Sequence, residues 1–283
     1  METTTPAQLG LKNTTLSLDQ PLLMGIVNIT PDSFSDGGKA FDTDQAMARI
    51  AQLIHDGADI IDIGAESTRP GATPISAEEE QSRLAPILSK YFNRFDTPLS
   101  LDTTKATVAK WGLEQGVSII NDISGGQDIN LVSAVADHEA CLVIMHMQGS
   151  PETMQDKPNY PEGILASVKG FLAHQIKQAD SMGVASIIID PGIGFGKTLP
   201  DNLALIKTLD SLTDLGQPIL LGTSNKSFIG ALDQSDVSQR VGGSVASTIL
   251  GWQNGAQLFR VHDIQAHKQA FTVCQAIMKG SAI

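Results

Sequence analysis

The sequence predicts an α/β fold: a single (β/α)8 barrel with its active site at the C-terminal ends of the strands. Eight short apolar runs flanked by turn residues alternate with longer stretches of helical period, the signature of alternating strands and helices. The 283 residues give each unit about 35, close to what a strand, a helix and their crossover require. Polar residues follow every run, as the mouth of a barrel requires. An open doubly wound sheet shares the alternation. Its dinucleotide fingerprint is missing, since Asn28-Ile29-Thr30-Pro31-Asp32-Ser33 after the first run has no glycine triplet.

The chain is read as one domain, residues 1–283, with residues 1–20 preceding the first barrel strand and carrying no assigned function. The predicted strands are Leu22–Ile29, Asp59–Ile63, Pro98–Leu101, Val117–Ile120, Ala140–Met145, Ser186–Ile189, Pro218–Leu221 and Ala256–Val261. Thr43 or Asp44 can cap a helix with Ala46, Ile50, Leu53 and Ile54 on one face, ended by Gly57. Ser76 and Glu79 have capping-box spacing before Leu84, Ile87 and Leu88. A helix from Thr103 or Thr104 runs to Gly116, another near Pro161–Met182 stops at Gly183, and the last runs from about Asp263 towards Lys279.

Composition narrows the function. With 19 Lys and Arg against 31 Asp and Glu, the net charge of −12 argues against a nucleic-acid binder, which needs a basic face to displace phosphate counterions. Cys141 and Cys274 stand alone, without disulfide or zinc spacing. The segment Met1–Gly10 lacks the basic and apolar parts of a secretory signal, so a cytoplasmic location is expected. The 19-residue charge-free stretch Val241–Phe259 includes Gln253, Asn254 and Gln257 and is not read as a membrane span.

The chemistry collects after the runs. Asn28, Asp32 and Asp36 follow the first; Asp62, Glu66, Ser67, Thr68 and Arg69 the second; Asp102 and Thr103 the third; Asn121 and Asp122 the fourth. His146, Asp190, Ser224-Asn225-Lys226-Ser227, and Arg260 with His262 follow the rest. The cations in this ring suit an anionic group, because Arg grips phosphate oxygens bidentately. Asp190-Pro191-Gly192-Ile193-Gly194-Phe195-Gly196-Lys197 is glycine-rich but lacks the Lys-Ser/Thr ending of a P-loop. Asp102, Asn121 and Asp190 can read a flat nitrogen-rich ring, since carboxylates accept parallel N–H bonds and an amide both donates and accepts. Each can equally cap the helix that follows. Asp62 and Asp122 look structural, as do His55, His138, His174 and His267; His146 is undecided. No Ser-His-Asp or Cys-His set stands out, while Lys226 leaves Schiff-base chemistry open.

Several stretches belong together: Met24-Gly25-Ile26-Val27-Asn28-Ile29-Thr30-Pro31-Asp32-Ser33-Phe34-Ser35-Asp36-Gly37-Gly38, Glu66-Ser67-Thr68-Arg69-Pro70-Gly71, Leu101-Asp102-Thr103, Asn121-Asp122-Ile123, Met145-His146-Met147-Gln148-Gly149, the glycine-rich loop, and Arg260-Val261-His262-Asp263. In this order, across residues 22–263, they resemble the dihydropteroate synthase family in its stand-alone bacterial form. The resemblance implies a transferase of folate synthesis that condenses 6-hydroxymethyl-7,8-dihydropterin diphosphate with p-aminobenzoate, giving 7,8-dihydropteroate and pyrophosphate. It implies pterin binding by Asp102, Asn121, Ile123, Met145, Asp190, Phe195, Gly222 and Lys226, and diphosphate binding by Asn28, Thr68, Arg69, Arg260 and His262. The implied p-aminobenzoate pocket is Phe34, Pro70, Lys226 and Ser227. Mg²⁺ is the implied cofactor, touching Asn28, and the implied catalytic residues are Asp36, Asp102, Lys226, Arg260 and His262. A homodimer through outer helices and inhibition by sulfonamides are implied as well.

A neutral arylamine needs no strong base, so the expected barrier is C–O cleavage by a dissociative path, with the leaving diphosphate stabilised electrostatically. Replacing Arg260 by Ala is expected to lower turnover far more than it perturbs folding. Two positions depart from the family pattern: Asn225 stands where Arg is common, and Ala65 where Gly is frequent. The competing readings are a pterin-dependent methyltransferase, a catalytically silent pterin-binding paralogue and a Schiff-base aldolase using Lys226.

Overall fold

The computed structural model describes residues 6–29, 43–67 and 72–280. Among them, eight parallel strands close a barrel: β3 (Leu22–Asn28), β4 (Ile60–Gly64), β5 (Leu99–Asp102), β6 (Ile119–Asp122), β7 (Cys141–Met145), β8 (Ser186–Asp190), β9 (Leu220–Leu221) and β10 (Leu258–Val261). Their order is β8-β7-β6-β5-β4-β3-β10-β9, and a parallel bridge from Ile189 to Ile219 joins the two edges. The helices that follow are α1 (Thr43–Asp56), α2 (Ala77–Tyr91), α3 (Ala106–Gln115), α4 (Ile129–Asp137), α5 (Ile164–Ser181), α6 (Leu199–Lys207), α7 (Ser227–Asp233), α8 (Val241–Gln253) and α9 (Ile264–Lys279).

The strands read as continuous apolar runs because both of their faces are buried. Along β7, Leu142 and Ile144 join the layer under the helices, where Ile50, Leu53, Leu84, Ile87, Val108 and Leu113 also lie. Cys141 and Val143 point the other way, into a barrel interior shared with Met24, Ile60, Ile119, Ile188, Leu220 and Leu258. Several strands run further than the apolar residues indicate. Pairing continues through Asp102 with Asn121 and through Met145 with Asp190, so these polar side chains sit on strand ends and not on loops.

Residues 8–17, left without a role by the sequence, form an antiparallel hairpin of β1 (Gln8–Leu11) and β2 (Thr14–Ser17). Leu9 and Leu11 pack against Leu22, Ile60, Ile119 and Cys141, the first residues of their strands, and so plug the N-terminal end of the barrel. The Ser186 hydroxyl donates to the Gly10 carbonyl at 2.6 Å and ties the plug to β8.

The helix signals hold with adjustments. The Ser76 hydroxyl accepts from the Glu79 N–H, but the Glu79 carboxylate pairs with Arg83 at 2.9 Å, so half of the expected box forms. α3 begins at Ala106, later than Thr103 or Thr104, because the Thr103 hydroxyl accepts from the Lys105 N–H and shapes a turn first. Gly116 and Gly183 follow their helices with positive φ, and the Asp263 carboxylate caps α9 at the Ala266 N–H. α4, α6, α7 and α8 were not singled out by pattern. α8 occupies the charge-free stretch; a Cβ on its Gly251 would lie 2.1 Å from the Leu221 side chain, so the glycine allows close packing at the expense of helical signal. No helix among the described residues is long and apolar enough to cross a membrane.

Because Leu9 is 2% exposed at the end opposite the strand C-termini, Leu9→Ala should lower unfolding free energy by about 2–5 kcal/mol while sparing catalysis. Denaturant unfolding with kcat measured on the folded protein checks this; a lost kcat at full folding would contradict the plug's purely structural place.

Candidate active site

Arg260, on β10, organises the C-terminal mouth. Its Nε donates to Asp62 Oδ2 at 2.6 Å and its Nη2 to Asp102 Oδ2 at 2.7 Å. Asp62 also accepts from the Ser100 hydroxyl at 2.6 Å and from the Asn121 amide at 3.2 Å, so β4, β5, β6 and β10 meet on one carboxylate. Asp62 and Asp122, both read from the sequence as structural acids, are each held by protein groups, Asp62 at the centre of the mouth. Asp122 accepts the Ser124 and Gly126 N–H groups and shapes the turn after β6. Asp62, fully buried in an otherwise apolar strand, carried a usable signal, since a buried charge requires a partner. The capping alternative is excluded for Asp102 and Asn121: Lys105 and Asp128 hold the N-cap positions of α3 and α4.

Charge and burial shift these groups in opposite senses. Burial pushes the Asp102 carboxyl up to about 7, helped by Asp62, Glu80 and Asp122 and opposed by Arg260. Burial, then the Arg260 charge, brings the Lys226 amine down to about 8, against the pull of Asp190 and Asp102. Burial disfavours the Arg260 cation too, but Asp62 and Asp102 outweigh it. Arg260→Ala is therefore expected to cost stability as well as turnover. Removing the guanidinium strands two acids, a loss of about 3–5 kcal/mol for a buried pair.

A second wall comes from β7, β8 and the glycine-rich loop. Asp190 accepts the Gly192 N–H at 2.7 Å and is raised by burial. Gly192 has φ +69°, and a Cβ there would lie 1.9 Å from the His146 carbonyl oxygen, so no other residue fits. Lys197, 3% exposed, donates to the carbonyls of His146 at 3.0 Å and Phe195 at 2.9 Å and approaches His146 Nδ1 at 3.0 Å. It thereby sets the loop against the end of β7, where Met145 lies. Sequence reasoning quoted Lys197 only as the end of the loop; its placement after three glycines was the available signal. His146 is brought down to about 3 by burial and by Lys197, so it is a neutral structural acceptor. His55, His174 and His267 lie within helices, and His138 at the end of α4.

The other predicted residues that the structure describes gather at the same mouth. The Lys226 Nζ lies 4.0 Å from the centroid of the Phe195 ring. Gly222 follows β9 with its Cα side towards Arg260, Ile123 follows β6 and is 5% exposed, and Asn28 ends β3 half-buried. Ser227 opens α7 and is exposed. His262 follows β10, its Nδ1 3.0 Å from the Ser224 hydroxyl. Asn225 adopts φ 59°, its N–H donating to the Ser244 hydroxyl at 2.9 Å. Phe34, Asp36, Thr68, Arg69 and Pro70 lie outside the described residues. Acids and cations thus converge on one opening.

The pterin binding enzyme family matches residues 24–262 of the chain. The Haemophilus influenzae dihydropteroate synthase is 40% identical over 271 residues, 95% of this chain and 98% of that protein. The Yersinia pestis dihydropteroate synthase, solved with a sulfonamide drug, superposes with a TM-score of 0.91 at 39% identity, covering 96% of this chain and 99% of the other. The Xanthomonas albilineans dihydropteroate synthase with 4-aminobenzoic acid gives 0.90 at 42% identity, covering 97% and 99%. The fold and the mouth are those of a pterin-binding (β/α)8 barrel. The chain belongs to the pterin-binding enzyme family, and within it to the dihydropteroate synthases, which are transferases.

Lys197 yields a prediction. Burial, partly opposed by Asp190, holds it at about 7 in the fold against 10.5 ordinarily. Between those values the unfolded chain keeps a proton that the folded chain has lost, so the Lys197 contribution to stability rises with pH there. Lys197→Met should remove that rise, so wild type gains on the variant by at most about 1.4 kcal/mol per pH unit above about pH 7. Parallel pH profiles in denaturant unfolding would refute the shift.

Proposed function

We propose that this transferase joins 6-hydroxymethyl-7,8-dihydropterin diphosphate to p-aminobenzoate by dissociative loss of pyrophosphate at the Arg260 end of the barrel. The observation that carries the reading is the Asp62–Arg260–Asp102 array, a guanidinium fixed before any substrate arrives. Asp190 has one oxygen committed to Gly192 and the other left to accept from a pterin N–H. The Asn121 amide is oriented by its bond to Asp62, which leaves its carbonyl oxygen for the ring. Ile123, Met145 and Phe195 form the apolar slot, with Gly222 and Lys226 beside it. As the C–O bond opens, negative charge grows on the diphosphate and positive charge on the pterin methylene. Arg260 and His262 meet the first and the Asp102 carboxylate the second, without reorganisation at the moment of reaction.

The family resemblance supports roles for Asp36, Thr68 and Arg69 beside these groups, and for Phe34, Pro70, Lys226 and Ser227 around p-aminobenzoate, where a sulfonamide would compete. Mg²⁺ fits the donor set. Asn28 offers one hard oxygen at the mouth, and among the described residues no cluster of three or more His, Cys, Asp or Glu could cage an ion. An ion held mainly by substrate phosphates and water needs no more protein than that, and it would neutralise diphosphate charge. A homodimer in the cytoplasm completes the proposal. Leu250 on α8 and Val273, Ile277 and Met278 on α9 are exposed apolar residues on packed outer helices, which supports pairing there.

The test is pyrophosphate release by the purified protein with pterin diphosphate and Mg²⁺, with and without p-aminobenzoate, following dihydropteroate alongside. Matched release is expected. Saturable pterin diphosphate binding without product would instead indicate the silent paralogue, and borohydride trapping on Lys226 the aldolase. Arg260→Lys keeps the charge but loses the two-pronged grip, and should lower kcat by at least about 10²-fold with the fold retained. A near-normal kcat would refute the role given to Arg260.

A further inference from the structure

We infer that Ser224 is a positioning residue that fixes the tautomer of His262, so that its neutral imidazole carries the proton on Nε2. Ser224 follows β9 and is 5% exposed. Its Oγ accepts the backbone N–H of His262 at 3.2 Å and lies 3.0 Å from His262 Nδ1. A hydroxyl has one proton to give. Among the described residues His262 alone is hydrogen-bonded to this hydroxyl, so Nδ1 is the acceptor available for that proton. The opposite arrangement, Nδ1–H donating to Oγ, would leave the hydroxyl proton buried without an acceptor. Nδ1 therefore accepts, and Nε2 bears the hydrogen.

Both partners are held in place. The Asn225 N–H donates to Ser244 at 2.9 Å, and the Thr223 and Thr248 hydroxyls lie 3.3 Å apart, which fastens the loop to α8 on either side of Ser224. The Arg49 guanidinium, from α1, donates to the His262 carbonyl at 2.6 Å. A diphosphate leaving group offers acceptor oxygens, so the ring serves it as a donor and not as a bare nitrogen. This consequence rests on the proposed place of His262 at the diphosphate; the tautomer itself does not.

The experiment is ¹⁵N NMR of the histidine rings in the full ligand-free chain, at a pH where the rings are neutral, with His262 assigned by the spectrum of His262→Asn. The expected result is a protonated Nε2 and an unprotonated Nδ1, with the preference weakened in Ser224→Ala and restored in Ser224→Thr. kcat should fall roughly threefold to tenfold in Ser224→Ala, the worth of one net hydrogen bond, and recover with Thr. A protonated Nδ1 in wild type, or an unchanged tautomer in Ser224→Ala, overturns the assignment to Ser224. A lost preference with unchanged kcat overturns the role of His262 at the diphosphate. Should Ser224→Ala fail to fold, the wild-type spectrum alone decides.

Discussion

A guanidinium taken out of water has to be met by acids, and Arg260 is met by Asp62 at 2.6 Å and Asp102 at 2.7 Å. One cation between two carboxylates leaves negative charge over. That surplus accompanies the burial that lifts Asp102 to about 7, while Arg260 and burial together bring Lys226 down to about 8. The neighbouring Asp190 is restrained in turn by Lys226 and Lys197. The mouth is a buried set of acids and cations that satisfy each other imperfectly. A ligand with ring N–H groups and phosphate oxygens would supply partners of both kinds.

The precision of this array comes from the strands. Asp102, Asn121 and Asp190 lie in β5, β6 and β8, and Arg260 in β10. Their neighbours Leu101, Ile120, Ile189 and Val261 are buried in the layer under the helices. Because alternate residues face opposite sides, burying those neighbours turns the polar side chains towards the axis. The layers beneath are filled by Met24, Ile60 and Val143 and closed from below by Leu9 and Leu11, so the polar ring rests on packed side chains. β9, with two residues, cannot discipline its loop in the same way. Ser244 and Thr248 of α8 do so through hydrogen bonds.

The sequence was most legible where physics is local. Eight apolar runs, Gly116 and Gly183 after their helices and the Asp263 cap all follow from periodicity and backbone conformation, and each appears at its place. Legibility fell where a residue's role depends on a partner far along the chain. Asp62 and Arg260 are 198 positions apart, and the apolar run around Asp62 signals that it needs a partner without saying which. Lys197 reaches back 51 positions to His146, and the hairpin reaches Ser186 from Gly10 across 176. Helices α4, α6, α7 and α8 escaped for another reason: short or glycine-containing segments have weak helical signal, and tertiary packing makes up the difference.

Asn225 shows how a departure from a family pattern can be absorbed. At φ 59° the backbone is left-handed, a conformation in which Asn is several-fold enriched among non-glycine residues. The turn between Ser224 and Lys226 is thus natural for the residue present, and Lys226 keeps its place over Phe195. A guanidinium still adjoins the turn. Arg240, just before α8, donates Nη1 to the Asn225 carbonyl at 3.2 Å and Nη2 to the Ser235 carbonyl at 3.1 Å. These bonds to backbone oxygens hold the loop that carries Ser224, Lys226 and Ser227. Asn225 therefore adds no positive charge to the turn, and Arg240, through backbone oxygens, supports the geometry of the residues that remain.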